Sequence, residues 1–133
     1  MPLFTICLRS KQGSNRVDLC PVEGEVVSFP DIPESLPYTW FIHHTTWLTK
    51  EGVQVTEDEW NISEKSNGRC IFLSGKDTME DAIADAGKAL KRKRADLSYW
   101  VQRGRKEYST YSNAKEILDA LDREVVDALS REA

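Results

Sequence analysis

Two adjacent histidines, His43 and His44, are the only histidines of the chain and the first residues to test for chemistry. They fall in an aromatic and β-branched run that predicts a strand, where neighbouring side chains point to opposite faces and do not chelate one ion together. No Cys-x-x-Cys or His-x-x-x-His spacing supplies further ligands. We therefore predict no metal site and no catalytic residue. An enzyme with a site near His43 or His44 stays open as an alternative, if a deep pocket joins one of them to a carboxylate or a cysteine.

The sequence "SGKDT" at residues 74–78 lies between a predicted strand and a predicted helix, where a phosphate-binding loop would lie. That motif requires glycine at the position of Cys70 and a hydroxyl at the position of Asp77. Asp77, Glu80 and Asp81 also place negative charge at the helix start, which disfavours phosphate there. The stretch therefore predicts a helix cap. Since other nucleophile and metalloprotease motifs are absent as well, we predict no enzyme, no cofactor and no small-molecule ligand.

Residues 88–106 contain eight Lys or Arg and one acidic residue, Asp96. This segment carries +7 in a chain of net charge −4, so the remainder carries −11. Arg, Trp and Tyr are the residue types that dominate protein interfaces. We predict a surface for a protein partner or for self-association, formed by Lys91, Arg92, Arg94, Tyr99, Trp100, Arg103 and Arg105.

The same basic helix, residues 88–106, could instead contact nucleic acid, with phosphates held by its cations and bases stacked on Tyr99 or Trp100. Two observations weigh against this alternative. The cations cover the helix face away from Leu90, where any surface helix keeps its charges. The negative remainder of the chain would also repel a polyanion.

Length and composition indicate one domain over residues 1–133, large enough to bury a single core. No apolar run approaches the roughly 20 residues of a membrane span, and the N-terminal stretch lacks the features of a secretory leader. Cys7, Cys20 and Cys70 cannot all pair and show no framework spacing, so we predict a reducing, cytoplasmic location and no membrane contact.

Period-2 patterns dominate the first 75 residues. Strands are predicted at 3–9, in one or two pieces between 17 and 29 with a break near Pro21 and Gly24, at 38–48, and as a short piece at 53–56. The proline-rich stretch at 29–37 should be irregular. The predicted fold class is α+β, with one antiparallel sheet of about four or five strands in residues 3–75 packed by C-terminal helices.

Asn67 and Gly68 lie between two β-forming runs and predict a hairpin with a two-residue turn. That turn places Ile62 opposite Leu73 and Glu64 opposite Ile71. The face toward the core then carries Trp60, Ile62, Ile71 and Leu73.

From residue 77 the apolar period changes to that of a helix. Asp77 or Thr78 can cap a helix over residues 77–111, which is long enough either to protrude or to bend, with Gly104 as the weaker point. Asn113 with Glu116 forms a second capping box and predicts a final helix over 113–131, whose buried side includes Val125 and Leu129.

Two fragments resemble known families. The hairpin followed by a helix resembles the closing half of double-stranded RNA-binding domains, although Asp77, Glu80 and Asp81 replace the lysines that hold phosphate there. The pieces "FPDIP" at 29–33 and "GKDTMEDAIADA" from Gly75 resemble parts of HicB-type antitoxins. The small size and the absence of a recognisable enzyme motif lead to the prediction of a small non-catalytic cytoplasmic regulator of phage, mobile-element or toxin–antitoxin origin that acts through protein contacts.

Overall fold

The computed structural model describes residues 1–9, 15–49 and 51–128, and it shows a mixed α+β protein. Strands occupy the first half and helices most of the second, as predicted. The elements are β1 (Pro2–Arg9), β2 (Val17–Glu23), β3 (Glu25–Val27), β4 (Trp40–Thr49), β5 (Gly52–Glu64), α1 (Met79–Arg92), α2 (Leu97–Glu107), α3 (Ala114–Leu121) and β6 (Val126–Asp127). Short 3₁₀ turns lie at Pro33–Ser35, Arg94–Asp96 and Tyr108–Thr110.

The described strands form two antiparallel sheets of three strands, in the orders β2-β1-β6 and β3-β4-β5, and not the single sheet of four or five strands that was predicted. The chain passes from one sheet to the other at Gly24, between β2 and β3. A side chain there would come within 2.9 Å of the Ile42 carbonyl oxygen, so only glycine allows this close passage. Phe4 of β1 stacks on Phe41 of β4, with ring centroids 4.1 Å apart, and joins the sheets.

Successive side chains of β4 and β5 point to opposite faces of their sheet, and this divides the core into two layers. Trp40, Ile42 and Ile62 point to the helices and pack with residues of α1 such as Ala86 and Leu90. Phe41 points the other way, into a cluster with the buried residues of β1 and β2. Strand β4 is therefore apolar on both faces, which explains why its sequence shows no polar alternation.

The hairpin after β5 forms where predicted but with a different turn and register. Ser63 bridges to Cys70, whereas the predicted register would place it opposite Phe72, and Leu73 is fully exposed. Within this turn, Gly68 has positive φ, at 63°, whereas Asn67 does not. The carboxylate of Glu64 accepts the Asn67 N–H at 2.9 Å, and the Gly68 N–H bonds to the Glu64 carbonyl. This side-chain closure makes a wider turn than the two-residue type.

The predicted long helix bends, but at Lys93 and not at Gly104. Lys93 has φ −105° and ψ 7°, and a 3₁₀ turn leads from it into α2. Gly104 lies inside α2, against the side chain of Asn67. The start of α1 is confirmed, since Thr78 Oγ1 accepts the Asp81 N–H at 3.0 Å. The apolar stripe is interrupted at Lys93 because α1 ends there and the chain changes direction.

The predicted final helix over 113–131 is wrong for residues 122–127, because α3 ends at Leu121. Residues 126–127 instead form β6 and pair with β1, and Val125 is exposed. The predicted position of Leu129 lies outside the described residues. Asn113 precedes α3 as its cap residue but makes no side-chain cap bond, because its carboxamide pairs with the backbone of Val17.

Candidate functional site

A groove of about 490 Å³ lies between the end of α1, the start of α2 and the segment at residues 70–76. We call it the basic groove. Apolar side chains from all three elements line its inner part, while charged groups stand at its rim. The apolar lining comes from Ile71, Phe72, Ala89, Leu90, Leu97 and Trp100. A concave apolar surface with a few charged groups is typical of a ligand or peptide site.

Trp100 is the largest side chain of the basic groove. Its indole lies nearly parallel to that of Trp40, at 18° and a centroid distance of 6.2 Å, and it is half-buried. The buried Trp40 is itself held by a hydrogen bond from its ring N–H to the Ser35 carbonyl at 3.0 Å. Trp100 thus presents a fixed aromatic surface to the groove. The neighbouring Tyr99 is 66% exposed.

Lys88, Arg92 and Lys93 form a cationic rim around the basic groove. Lys88 and Arg92 belong to the last turns of α1, and Lys93 is its C-terminal cap residue. The three cations therefore lie near the negative end of the helix dipole, which favours positive charge there. Across the part of the chain that the structure describes, none of the three makes an ion pair. Lys76, on the opposite wall, pairs with Asp85 at 3.3 Å and lies over the Phe72 ring.

The structure divides the residues predicted to bind a partner. Arg92, Tyr99 and Trp100 remain available at or beside the basic groove. The other four are already paired within the chain: Lys91 with Asp31 at 3.1 Å, Arg94 with Glu34 at 2.8 Å, Arg103 with Glu107 at 3.2 Å, and Arg105 with Asp122 at 2.9 Å. The basic segment is therefore not one continuous free surface.

These ion pairs lie on the surface and act mainly locally. The guanidinium of Arg94 donates to both carboxylate oxygens of Glu34 and lowers the pKa of that carboxyl. The ammonium of Lys91 similarly lowers the pKa of Asp31. Exposed pairs of this kind contribute little to stability. Their consequence here is that half of the eight cations in residues 88–106 are occupied.

Sequence reasoning did not assign Lys76, Lys88 and Lys93 to the candidate site. Lys88 and Lys93 belong to the basic segment, and the failure of the apolar stripe at Lys93 was a usable signal for the helix end that forms the rim. Lys76 lies outside that segment, and no sequence pattern connects it to Trp100.

A second cluster lies behind the basic groove, on the face of β5 that points to β1. His43 Nε2 is 2.8 Å from Ser63 Oγ, and Ser63 Oγ is 3.2 Å from Cys70 Sγ. We call these three residues the thiol cluster. His43 and Ser63 are fully buried, whereas Cys70 is partly exposed and lines both the basic groove and a second groove beside Trp47. The predicted opposite orientation of the two histidines is confirmed, since His44 stacks on Trp60 at 3.9 Å.

Burial controls the charge states of the thiol cluster. It lowers the pKa of His43 to about 4, because the imidazolium loses hydration that a hydrogen bond to the His44 carbonyl does not replace. Burial also raises the pKa of the Cys70 thiol, an effect that the hydrogen bond with Ser63 offsets only in part. The cluster is therefore neutral at pH 7.

Neither site has the composition of a metal centre. In residues 1–9, 15–49 and 51–128, no group of three or more His, Cys, Asp or Glu side chains is placed to hold a metal ion. No helix in those residues is long and apolar enough to cross a membrane.

Comparison with known proteins identifies no relative of this chain: no protein-family model, no curated protein and no solved structure matches it.

Proposed function

We propose that this protein is a small cytoplasmic binding or regulatory protein that does not turn over a substrate, and that its basic groove holds an acidic segment of a protein partner. The observation that carries the proposal is the rim of Lys88, Arg92 and Lys93, which form no ion pair with any described residue, around an apolar surface that ends on Trp100. A rigid aromatic side chain beside free cations is the composition of an interface hot spot.

Charge complementarity selects the class of partner. The rim cations are exposed and attract an acidic chain, while the rest of the surface is acidic and repels it. The apolar lining offers a second requirement, since an acidic segment with one aromatic or aliphatic side chain can bury that side chain against Trp100. Such a segment gains affinity from the lining and orientation from the rim.

Nucleic acid is a weaker candidate for the same groove. Lys91, Arg94, Arg103 and Arg105 are already paired with carboxylates of the chain. The three free rim cations surround a pocket, whereas a phosphate backbone needs a row of contacts to reach a useful affinity. Self-association through Tyr99 and Trp100 is the other alternative.

The cytoplasmic location is part of the proposal and draws support from the free thiols of Cys7, Cys20 and Cys70. The phage, mobile-element or toxin–antitoxin origin is part of it as well. The small size of the chain and the absence of a recognisable enzyme motif in its sequence support this origin.

The test uses a fluorescein-labelled acidic peptide that contains one leucine or phenylalanine, titrated against the full chain at low ionic strength. We expect a Kd of roughly micromolar size, seen in peptide anisotropy and in tryptophan fluorescence. The variant Arg92→Glu with Lys93→Glu should weaken binding by about tenfold or more. The matched control, Lys106→Glu with Lys115→Glu, changes the net charge equally at exposed positions outside the groove and should bind as the unaltered chain does.

Three results would contradict the proposal. If the peptide binds both double variants equally, the groove is not its site. If a duplex or single-stranded oligonucleotide binds more tightly than the peptide at the same salt concentration, nucleic acid is the ligand. If light scattering shows a dimer at tens of micromolar that the groove variant abolishes, the surface serves a second copy of this chain.

A further inference from the structure

The hydrogen bonds of the thiol cluster determine where its protons are. His43 Nδ1 lies 2.7 Å from the His44 carbonyl oxygen, which can only accept, so Nδ1 carries the proton. At a pKa of about 4 the ring is neutral at pH 7, and Nε2 is therefore a bare acceptor. The single proton of the Ser63 hydroxyl then points to Nε2. With that proton toward Nε2, Ser63 Oγ accepts the thiol proton of Cys70, whose Sγ lies 3.2 Å away; the reverse orientation, in which Ser63 donates to Cys70 Sγ, would leave Nε2 without the Ser63 proton.

The result is a directed path for a proton from Cys70 through Ser63 to His43. The path is held by the strand geometry, because Ser63 of β5 bridges to Cys70 and lies two residues along the strand from Asn61, the residue opposite His43. Of its three members only Cys70 reaches the surface, in the walls of two grooves. Cys70, which is partly exposed and lines both grooves, thus has a histidine behind its thiol.

We propose that Cys70 is a nucleophilic modification site that accepts an acyl group from a small thioester, with Ser63 and His43 as its proton relay. This inference goes beyond the proposed binding function and does not depend on it. It concerns the transfer of one acyl group per chain, so the protein remains non-catalytic in the sense proposed above.

The transfer is balanced within the cluster and the thioester. A lone pair of Cys70 Sγ attacks the thioester carbonyl carbon while the thiol proton moves to Ser63 Oγ and the Ser63 proton moves to His43 Nε2. The bond between that carbon and the leaving sulfur then breaks, and the imidazolium returns a proton through Ser63 to the leaving thiolate. A new thioester on Cys70 and a free thiol result, with no change in oxidation state.

A thioester is the class of acyl donor that suits a neutral cluster. Burial disfavours both a thiolate on Cys70 and a positive charge on His43, so attack has to occur together with proton movement. Thioesters have a good leaving group and demand no strong base. The apolar side chains of Ile71, Phe72 and Leu97 beside Cys70 suit a small apolar acyl group.

The environment contains few other groups that could perform this role. The neighbouring His44 points to the opposite face of the strand, where it stacks on Trp60. Cys7 of β1 interacts electrostatically with Cys70, and its other titratable neighbours are Tyr108 and Arg69. Burial raises the pKa of Cys7 to about 11, and the side-chain hydrogen bond of its thiol is with Tyr108. Cys20 is buried between the sheets, so it serves as an internal reference thiol.

The test incubates the full chain with S-phenyl thioacetate and follows acetylation by intact mass and peptide mapping. We expect one acetyl group on Cys70 and slower reaction at Cys7 and Cys20. His43→Gln should slow acetylation of Cys70 by roughly a hundredfold, the usual size of a general-base contribution, and Ser63→Ala should slow it similarly. Cys20→Ser, the control, should leave the rate at Cys70 unchanged. Near-ultraviolet circular dichroism of the Trp40–Trp100 pair shows whether each variant is folded.

The pH dependence of the acetylation rate distinguishes attack through the proton relay from attack by a thiolate formed beforehand. With His43 as the base, the rate should be flat between about pH 5 and pH 8 and fall as His43 becomes protonated near pH 4. A rate that rises tenfold per pH unit over this range and is equal in His43→Gln would overturn the proposal, as would acetylation of Cys7 or Cys20 before Cys70.

Discussion

Gly104 of α2 lies directly against the carboxamide of Asn67, so that a Cβ atom at position 104 would stand 3.0 Å from Asn67 Nδ2. Asn67 is fully buried, and its backbone carbonyl oxygen accepts a hydrogen bond from the Tyr108 hydroxyl. The glycine is present because the turn after β5 has to approach the helix backbone. Its weak helix propensity is a consequence of this contact and does not mark the point at which the helix bends.

Gly104→Ala should therefore destabilise the protein although it improves helix propensity. The gain of about 1 kcal/mol that alanine offers in a helix is exceeded by displacement of the rigidly held Asn67, and we expect a net loss of about 1 kcal/mol. Urea denaturation measures the difference. Gly87→Ala is the matched control, because the nearest atom to its Cβ would be Phe29 Cδ1 at 3.7 Å, an ordinary contact. It should stabilise by about 0.5–1 kcal/mol, and a stabilising Gly104→Ala would contradict the assignment.

Asn113→Ala should cost stability through β2 and not through the helix that Asn113 precedes. The Asn113 carboxamide donates to the Val17 carbonyl at 2.8 Å and accepts the Val17 N–H at 3.1 Å, in a buried position. Removal leaves two buried backbone groups unpaired, and we expect a loss of about 2–4 kcal/mol in the free energy of unfolding.

Glu116→Ala is the control for Asn113→Ala. Glu116 lies in the first turn of the same helix and pairs with Arg16 on the surface, where the pair is worth about 0–1 kcal/mol. Equal losses for the two variants would mean that Asn113 acts as an ordinary cap residue.

His43 should make stability depend on pH between about pH 4 and pH 6.5. Its pKa in the folded state is lowered, so the unfolded chain binds a proton in this range that the folded chain does not. The stabilisation is complete above the unfolded pKa and is lost as pH falls toward the folded pKa, by about 3 kcal/mol in total. Glu64, whose pKa burial raises, acts in the opposite direction.

Comparison with His43→Gln isolates the histidine from Glu64 and from the surface carboxylates. The difference in unfolding free energy between the two proteins should shrink as pH falls from about 6.5 to about 4. Denaturant titrations at a series of pH values measure it. A difference that stays constant over this range would show that the pKa of His43 is the same in the folded and unfolded states.

Local patterns identified those parts of the fold that depend on near neighbours. Period-2 runs located β1 and β4, and a hydroxyl followed by acidic residues located the cap at Thr78. The two-sheet arrangement depends on Gly24 passing close to the Ile42 carbonyl, a contact between segments far apart in the chain. The hairpin register depends on the side chain of Glu64, which outweighed the preference of the Asn67-Gly68 pair for a two-residue turn.

The candidate site was predictable only in part for the same reason. The basic segment was visible as a cluster of charge, but its partners Asp31, Glu34 and Asp122 come from other elements, and only the folded chain shows which cations they occupy. The thiol cluster joins residues 27 positions apart. The sequence offered the residue types, while the bridge between Ser63 and Cys70 gave them their order.

Gly24 also has a mechanical consequence. Because this single residue separates strands of two different sheets, a displacement of β2 also displaces β3. The stacked rings of Phe4 and Phe41 additionally hold the two sheets together. The two sheets should therefore melt together as one cooperative unit, with the helices of the second half losing their support in the same transition.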